Sequence, residues 1–133
     1  MSSPRILITG GSGFVGQWMC RHYLAEGYTV FAGTVGQATG PAVLTNEQRL
    51  AVQWLPMDTT SDEQIARAVD TAAPDLVAHM AAMAFSPDAT ESPARAFEVN
   101  ALGALRLLSR LATVGAKQVH VLIVGSAEQY GVN

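Results

Sequence analysis

Arg5-Ile6-Leu7-Ile8-Thr9-Gly10-Gly11-Ser12-Gly13-Phe14-Val15-Gly16 decides how this chain is read. An apolar run of β character leads into a glycine loop, and the loop leads into a segment of helical period. A strand, a glycine turn and a helix in that order place the helix N-terminus beside the strand end, the layout that holds a pyrophosphate. Gly10 permits the sharp turn, Gly13 permits close approach of backbone N–H groups to phosphates, and Gly16 permits the helix to pack close to the sheet. The spacing is G-x-x-G-x-x-G rather than the commoner G-x-G-x-x-G, so the rest of the chain has to support the reading.

Working outward, strands and helices alternate. Arg5–Thr9 reads as a buried strand. Phe14–Glu26 reads as a helix with Phe14, Val15, Trp18, Met19, His22 and Tyr23 near helical spacing, capped by Gly27. Tyr28–Gly33 is a second strand. Residues 34–48 have no clean period and contain Gly36, Gly40 and Pro41, which predicts a loop with a short helix near 45–48. Leu50–Pro56 is a third strand. Ser61-Asp62-Glu63-Gln64 is a capping box opening a helix to about Ala73, with Ile65, Ala68 and Val69 on one face. Leu76–Ala82 is a fourth strand. Ser92-Pro93 opens a helix to about Val114, ended by Gly115, with Phe97, Leu102, Leu105, Leu108 and Leu111 among its apolar residues. Val119–Val124 is a fifth strand. This alternation predicts an α/β fold, a doubly wound parallel sheet in the order 3-2-1-4-5.

Composition agrees. The 133 residues allow one domain, and 49% are apolar against 14% charged. That balance suits strands buried on both faces, or a piece whose surface is covered by something else. A net charge of −3 without a basic cluster argues against nucleic acid. The apolar runs fall short of a membrane span, and Met1–Arg5 lacks the apolar core of a signal peptide. The single Cys20 has no disulfide partner and reads as a core residue of a cytoplasmic protein. His22 and His120 lack the spacing of metal ligands, so no metal is expected.

Ligands of such sheets bind beyond the carboxyl ends of the strands. At the first end, the cofactor contacts are Gly10, Ser12, Gly13, Phe14, Val15 and Gly16. The second end, Phe31-Ala32-Gly33-Thr34-Val35-Gly36, has no carboxylate to take a ribose 2′-hydroxyl and no arginine for a 2′-phosphate. Its small residues leave room for a phosphate with Thr34 as a donor, which favours NADP(H), with NAD the alternative. Asp58, followed by Thr59, can accept from an adenine amino group. In His79-Met80-Ala81-Ala82, the small residues allow Met80, Ala81 and Ala82 to lie against a nicotinamide ribose, while His79 reads as a core histidine. Asn100 is a polar amide facing inward, either on a neighbouring backbone or at the cofactor. At the fifth end, Ser126 is placed to hydrogen-bond a substrate oxygen, and Glu128 to exchange a proton or hold a sugar hydroxyl.

Together these residues resemble the extended short-chain dehydrogenase/reductase group, the NAD-dependent epimerase/dehydratase family. Thr9–Gly16 is similar to its T-G-x-x-G-x-x-G, Asp58 to its adenine-site aspartate, and His79–Ala82 to its H-L-A-A. Asn100–Leu108 is similar to N-x-x-G-T-x-x-L-L, with Ala104 in place of the threonine, and Ser126–Gly131 to S-x-x-x-Y-G. Gly125–Gly131 most resembles the branch that acts on GDP-sugars, GDP-4-keto-6-deoxymannose reductases and GDP-mannose 4,6-dehydratases, with the reductases nearer. The resemblance implies a Rossmann-type domain over 1–133, truncated before the sixth strand and without the substrate domain. It implies hydride transfer between the cofactor and a sugar carbon, a nucleotide-sugar substrate, and a homodimer through the 93–114 helix. The family's catalytic Tyr-x-x-x-Lys is absent. Tyr130 has no following lysine, Tyr23 is followed four residues later by Gly27, and Tyr28 by Ala32. The expectation is therefore a cofactor-binding part inactive on its own, with an epimerase, a dehydratase or a non-catalytic dinucleotide-binding module as the alternatives.

Overall fold

A computed structural model of the chain describes residues 2–36, 42–84, 86–114 and 118–131, without the side chains at 86, 87, 89 and 128. Five parallel strands, β1 (Arg5–Thr9), β2 (Thr29–Thr34), β3 (Gln53–Pro56), β4 (Leu76–His79) and β5 (His120–Ile123), form one sheet in the order β3-β2-β1-β4-β5. This is the doubly wound order expected from the alternation. Central β1 pairs on both edges, Leu7 lying between Phe31 and Val77, and its Ile6, Leu7 and Ile8 are withdrawn from solvent.

Among the described residues there are six α-helices: α1 (Phe14–Ala25), α2 (Asn46–Ala51), α3 (Asp62–Ala72), α4 (Ser86–Glu91), α5 (Pro93–Phe97) and α6 (Gly103–Thr113). Because strand side chains alternate between faces, β1 serves two cores. Leu7 joins Phe31 and Val77 with Ile65, Ala68, Val69 and Ala72 of α3 and Leu107 of α6. Ile6 and Ile8 join Val30, Ala32 and Ala78 with Cys20 of α1, Leu44 and Val52. Arg5 ties β1 to the end of α3, its guanidinium donating to the carbonyls of Thr71 and Ala72 while Asp75 accepts the Arg5 N–H.

The helix ends follow local chemistry. Behind α1, Gly27 N–H bonds to Leu24 O and Tyr28 N–H to Tyr23 O, the paired closure of a glycine-ended helix. Ser61 Oγ caps α3 by accepting the Gln64 N–H, but the Gln64 side chain does not complete the expected box: its Oε1 takes the Asp58 N–H at 2.9 Å. The full capping box lies at Thr45–Gln48, where each side chain accepts the other's backbone N–H.

That box shifts the third strand. It sustains α2 through Ala51, so β3 begins at Gln53 and not at Leu50, which is 86% exposed. The fourth strand ends at His79 rather than Ala82, because the next two N–H groups leave the ladder for a side chain described below. The 93–114 helix is preceded by α4 and carries a π-helical turn, Glu98–Leu102, between α5 and α6; Ser92 makes no side-chain cap. Its expected stop, Gly115, lies outside the described residues. Two helices bury small residues and leave large apolar ones in solvent. α1 buries Gly16, Gln17 and Cys20 and leaves Phe14, Val15 and Trp18 exposed. α6 buries Gly103 and Leu107 and leaves Leu105 and Leu108 exposed.

Candidate functional site

Parallel strands bring their carboxyl ends to one edge, and the sequence-predicted residues of all five ends gather there. The loop after β1 is held by contacts that exclude side chains. Gly10 takes φ +64°, and a β-carbon on it would stand 2.9 Å from the Ala81 nitrogen, so the loop rests on the backbone that follows β4. A β-carbon on Gly16 would stand 2.2 Å from the Gly10 carbonyl oxygen and 2.8 Å from Gly11 Cα. Gly16 therefore seats α1 on the loop itself, not on the sheet as the sequence suggested.

Gly13 is the N-cap of α1 with extended backbone. It offers no capping side chain, and the first turn holds no acidic residue. Its own N–H donates to Gly10 O at 3.0 Å and so serves the loop. The N–H groups of Phe14, Val15 and Gly16 have no carbonyl four residues back within the helix, and they carry the positive end of its dipole. An anion with several acceptor oxygens fits this N-terminus, as a dinucleotide's pyrophosphate does.

Beside the loop, Thr9 Oγ1 ties β1 to the segment after β4. It accepts the N–H groups of Met80 and Ala81, each at 3.0 Å, which uses both lone pairs. Its proton is then directed to His79 Nδ1, 2.8 Å away. That geometry makes Nδ1 the acceptor and leaves the imidazole proton on Nε2, which is buried without a hydrogen-bond partner among the described residues. Burial also pulls the His79 pKa below the usual histidine value. His79 is thus a neutral core histidine, as the sequence suggested. Capture of these two N–H groups by Thr9 is why β4 stops short of Ala82.

The remaining ends hold ordered polar groups. Asp58 Oδ1 accepts the N–H of Thr60 at 2.9 Å and its hydroxyl at 2.8 Å, and these bonds hold the carboxyl below its ordinary pKa. It is an ionised acceptor at a partly exposed position, as an adenine amino group requires. Thr59 is buried: a β-carbon on Gly103 would stand 2.9 Å from both its Cβ and its Oγ1, so its side chain packs under α6. Thr34 Oγ1 donates to Ser12 Oγ at 2.7 Å and lies 3.1 Å from Gly36 O, joining the first and second strand ends. Asn100, in the π-helical turn, grips the backbone of one residue on both sides. Its Oδ1 accepts the Met83 N–H at 2.8 Å and its Nδ2 donates to Met83 O at 3.2 Å. It thereby shapes the 80–84 segment, a backbone role that the sequence left open beside a cofactor contact. Ser126 follows β5, exposed, at the start of the 3₁₀ turn Ala127–Tyr130. The side chain of Glu128 lies outside the described residues.

Sequence reasoning missed two members of this arrangement. Thr9 was read as a strand end and the first residue of the glycine motif, with no role for its hydroxyl, although a hydroxyl just before the first glycine is what can reach a neighbouring strand. Gln17, fully buried, was passed over as one helix residue among others. No group of three or more His, Cys, Asp or Glu that could hold a metal occurs among the described residues, and no helix among them is long and apolar enough to cross a membrane.

Known proteins are similar to this chain in sequence and fold. The description NAD dependent epimerase/dehydratase family matches residues 6–133. GDP-6-deoxy-D-mannose reductase of Pseudomonas aeruginosa is 32% identical over 129 residues, 97% of this chain and 36% of that protein. GDP-6-deoxy-D-talose 4-dehydrogenase of Aggregatibacter actinomycetemcomitans is 28% identical over 130 residues, 96% of this chain and 37% of that protein. The crystal structure of Thermus thermophilus UDP-glucose 4-epimerase in complex with NAD superposes with a TM-score of 0.67 at 34% identity, covering 80% of this chain and 33% of that one. The chain thus spans little more than a third of the length of these relatives. A parallel sheet in the order 3-2-1-4-5, a glycine loop seated on Ala81 and a family match over nearly every residue lead to one conclusion: the chain belongs to the NAD dependent epimerase/dehydratase family.

Proposed function

We propose that this chain is the dinucleotide-binding part of a nucleotide-sugar oxidoreductase, with NADP(H) as cofactor and a GDP-linked sugar as substrate. The observation that carries the reading is the uncapped N-terminus of α1, set by Gly10 and Gly16 over the strand ends. When bound, the cofactor supplies hydride exchange at its nicotinamide with a sugar carbon. The chain's own residues supply the rest. The N–H groups of Phe14, Val15 and Gly16 hold the pyrophosphate, and Asp58 accepts from the adenine amino group. Ser12 and Thr34 border the adenosine ribose, where no carboxylate repels a 2′-phosphate. Met80, Ala81 and Ala82 line the nicotinamide ribose. Ser126 hydrogen-bonds the reacting oxygen, and Glu128 holds substrate or carries a proton. Similarity to a GDP-6-deoxy-D-mannose reductase and a GDP-6-deoxy-D-talose 4-dehydrogenase supports the GDP-sugar choice. Likeness to UDP-glucose 4-epimerase supports a second reading, an epimerase using the same cradle. Dimerisation through the 93–114 helix and a cytoplasmic location belong to the same proposal.

Fluorescence titration with NADPH and NADH tests it. The expected result is saturable binding of both, tighter for NADPH; tighter NADH binding overturns the NADP(H) choice, and binding of neither overturns the function. The 133 residues contain no Tyr-x-x-x-Lys. We therefore expect no turnover of GDP- or UDP-sugars by this chain, and turnover in a coupled absorbance assay would overturn that part.

A further inference from the structure

Gln17 is a polar side chain withdrawn completely from solvent inside α1, on the face that packs against the sheet. A buried primary amide is costly unless both of its ends are bonded. Here both are. Nε2 donates to the Ser12 carbonyl at 3.0 Å, and Oε1 accepts the Val43 N–H at 3.2 Å. The first bond falls on the peptide group joining Ser12 to Gly13, whose N–H already donates to Gly10 O at 3.0 Å. Because the C=O and N–H of a trans peptide point opposite ways, bonds at both ends fix the plane of that group. It immediately precedes the N–H groups of Phe14, Val15 and Gly16, which have no carbonyl partner four residues back within the helix. The second bond fastens Val43, whose neighbour Leu44 is buried in the core beside Cys20 and Ala32. Ser12 is therefore braced twice, through its hydroxyl to Thr34 and through its carbonyl and Gln17 to Val43.

We propose that Gln17 is a positioning residue for the dinucleotide: it locks the Ser12–Gly13 peptide so that the loop is organised before the pyrophosphate arrives, and it links that loop to the segment at Val43. A side chain serving only to fill the core would be replaceable by methionine, which has nearly the same length. One that positions the loop would not, because preorganisation adds to affinity by removing the need to order the loop on binding. The inference rests on the dinucleotide reading of the site.

The test compares the whole chain with Gln17→Met and Gln17→Glu, using NADPH and NADH fluorescence titration and the rise in melting temperature that each cofactor produces. Gln17→Met is expected to weaken both cofactors by about tenfold, the loss of roughly one net hydrogen bond, and to shrink the cofactor-induced rise in melting temperature. Gln17→Glu keeps an acceptor for Val43 but, when ionised, sets a carboxylate against the Ser12 carbonyl. Once protonated, it donates to that carbonyl again. Its deficit relative to the parent at the same pH is expected to narrow as the pH is lowered, while that of Gln17→Met stays constant. A purely structural role would lower the melting temperature of free and bound chain alike and leave affinity unchanged, and that result overturns the proposal. If Gln17→Met fails to fold, the pH course of Gln17→Glu decides: a deficit that does not narrow overturns it. Failure of the parent chain to bind either cofactor overturns the dinucleotide reading and this inference with it, whereas equal binding by parent and variants overturns the inference alone.

Discussion

Thr9 Oγ1 does at one atom what neither β1 nor β4 does alone: it satisfies two N–H groups and orients one imidazole. Thr9→Val keeps the shape and removes the hydroxyl, leaving the Met80 and Ala81 N–H groups and His79 Nδ1 without their partner. Buried polar groups left unpaired cost about 1–3 kcal/mol each, so Thr9→Val is expected to lower stability by about 3 kcal/mol or more in urea unfolding, while Thr9→Ser stays within about 1 kcal/mol. His79 adds a pH dependence of determined sign. Its folded-state pKa lies below the ordinary 6.5 because burial penalises the charged ring. Below that ordinary value the unfolded chain binds the proton more readily than the folded one. The contribution of neutral His79 is therefore complete above about pH 6.5 and is lost as the pH falls through the lowered value. Urea midpoints are expected to decline between pH 7 and pH 5 in the parent and to decline less in His79→Gln. Cys20, its thiol pushed up to about 12 by burial, adds nothing in this window. The turn at Gly10 was legible because its positive φ demands glycine. The hydroxyl of Thr9 and the amide of Gln17 were not, because each acts on a residue far away in sequence.

At the scale of elements, the α1 and α6 faces show where periodicity misleads. Phe14, Val15 and Trp18 recur near helical spacing, yet all three are exposed. Instead α1 approaches so closely at Gly16 that the small residues form its inner face, with Cys20 one turn on. In α6, Gly103 packs on Thr59, and Leu107, one turn later, completes the α3 side of the core. Leu105 and Leu108 lie off that line. Leu107→Ala is expected to cost about 3 kcal/mol, the usual scale for a large-to-small change in a packed core. Leu105→Ser, at 58% exposure, is expected to stay within about 0.5 kcal/mol. Chemical unfolding of the two variants side by side checks the assignment, and equal losses would contradict it. β1 and β2, by contrast, were legible to within a residue, since they are buried on both faces and read as continuous apolar runs, whereas β4 was expected three residues beyond its end at His79. The third strand was displaced only because Thr45 and Gln48 formed an unrecognised capping box.

At the scale of the whole chain, the sheet of the described residues has β5 at one edge. Among the described residues β5 pairs only with β4, and its Leu122, Ile123 and Val124 are 44–57% exposed, unlike the strands at the centre of the sheet. The low charge content suits a sheet buried on two faces over most of its width, the first of the alternatives that composition offered. A strand edge with unpaired N–H and C=O groups beside apolar side chains is a template for pairing with another chain, and no lysine or proline within His120–Ile123 blunts it. The chain is accordingly expected to self-associate as its concentration rises. Leu122→Lys places a charge on the open face without touching the glycine loop, and should shift the population toward the monomer while leaving cofactor titrations unchanged. Sedimentation velocity over a hundredfold concentration range reads the difference. A parent chain that stays monomeric throughout would overturn the expected association, and a variant that associates as strongly as the parent would show that β5 is not the adhesive edge and move attention to the exposed leucines of α6.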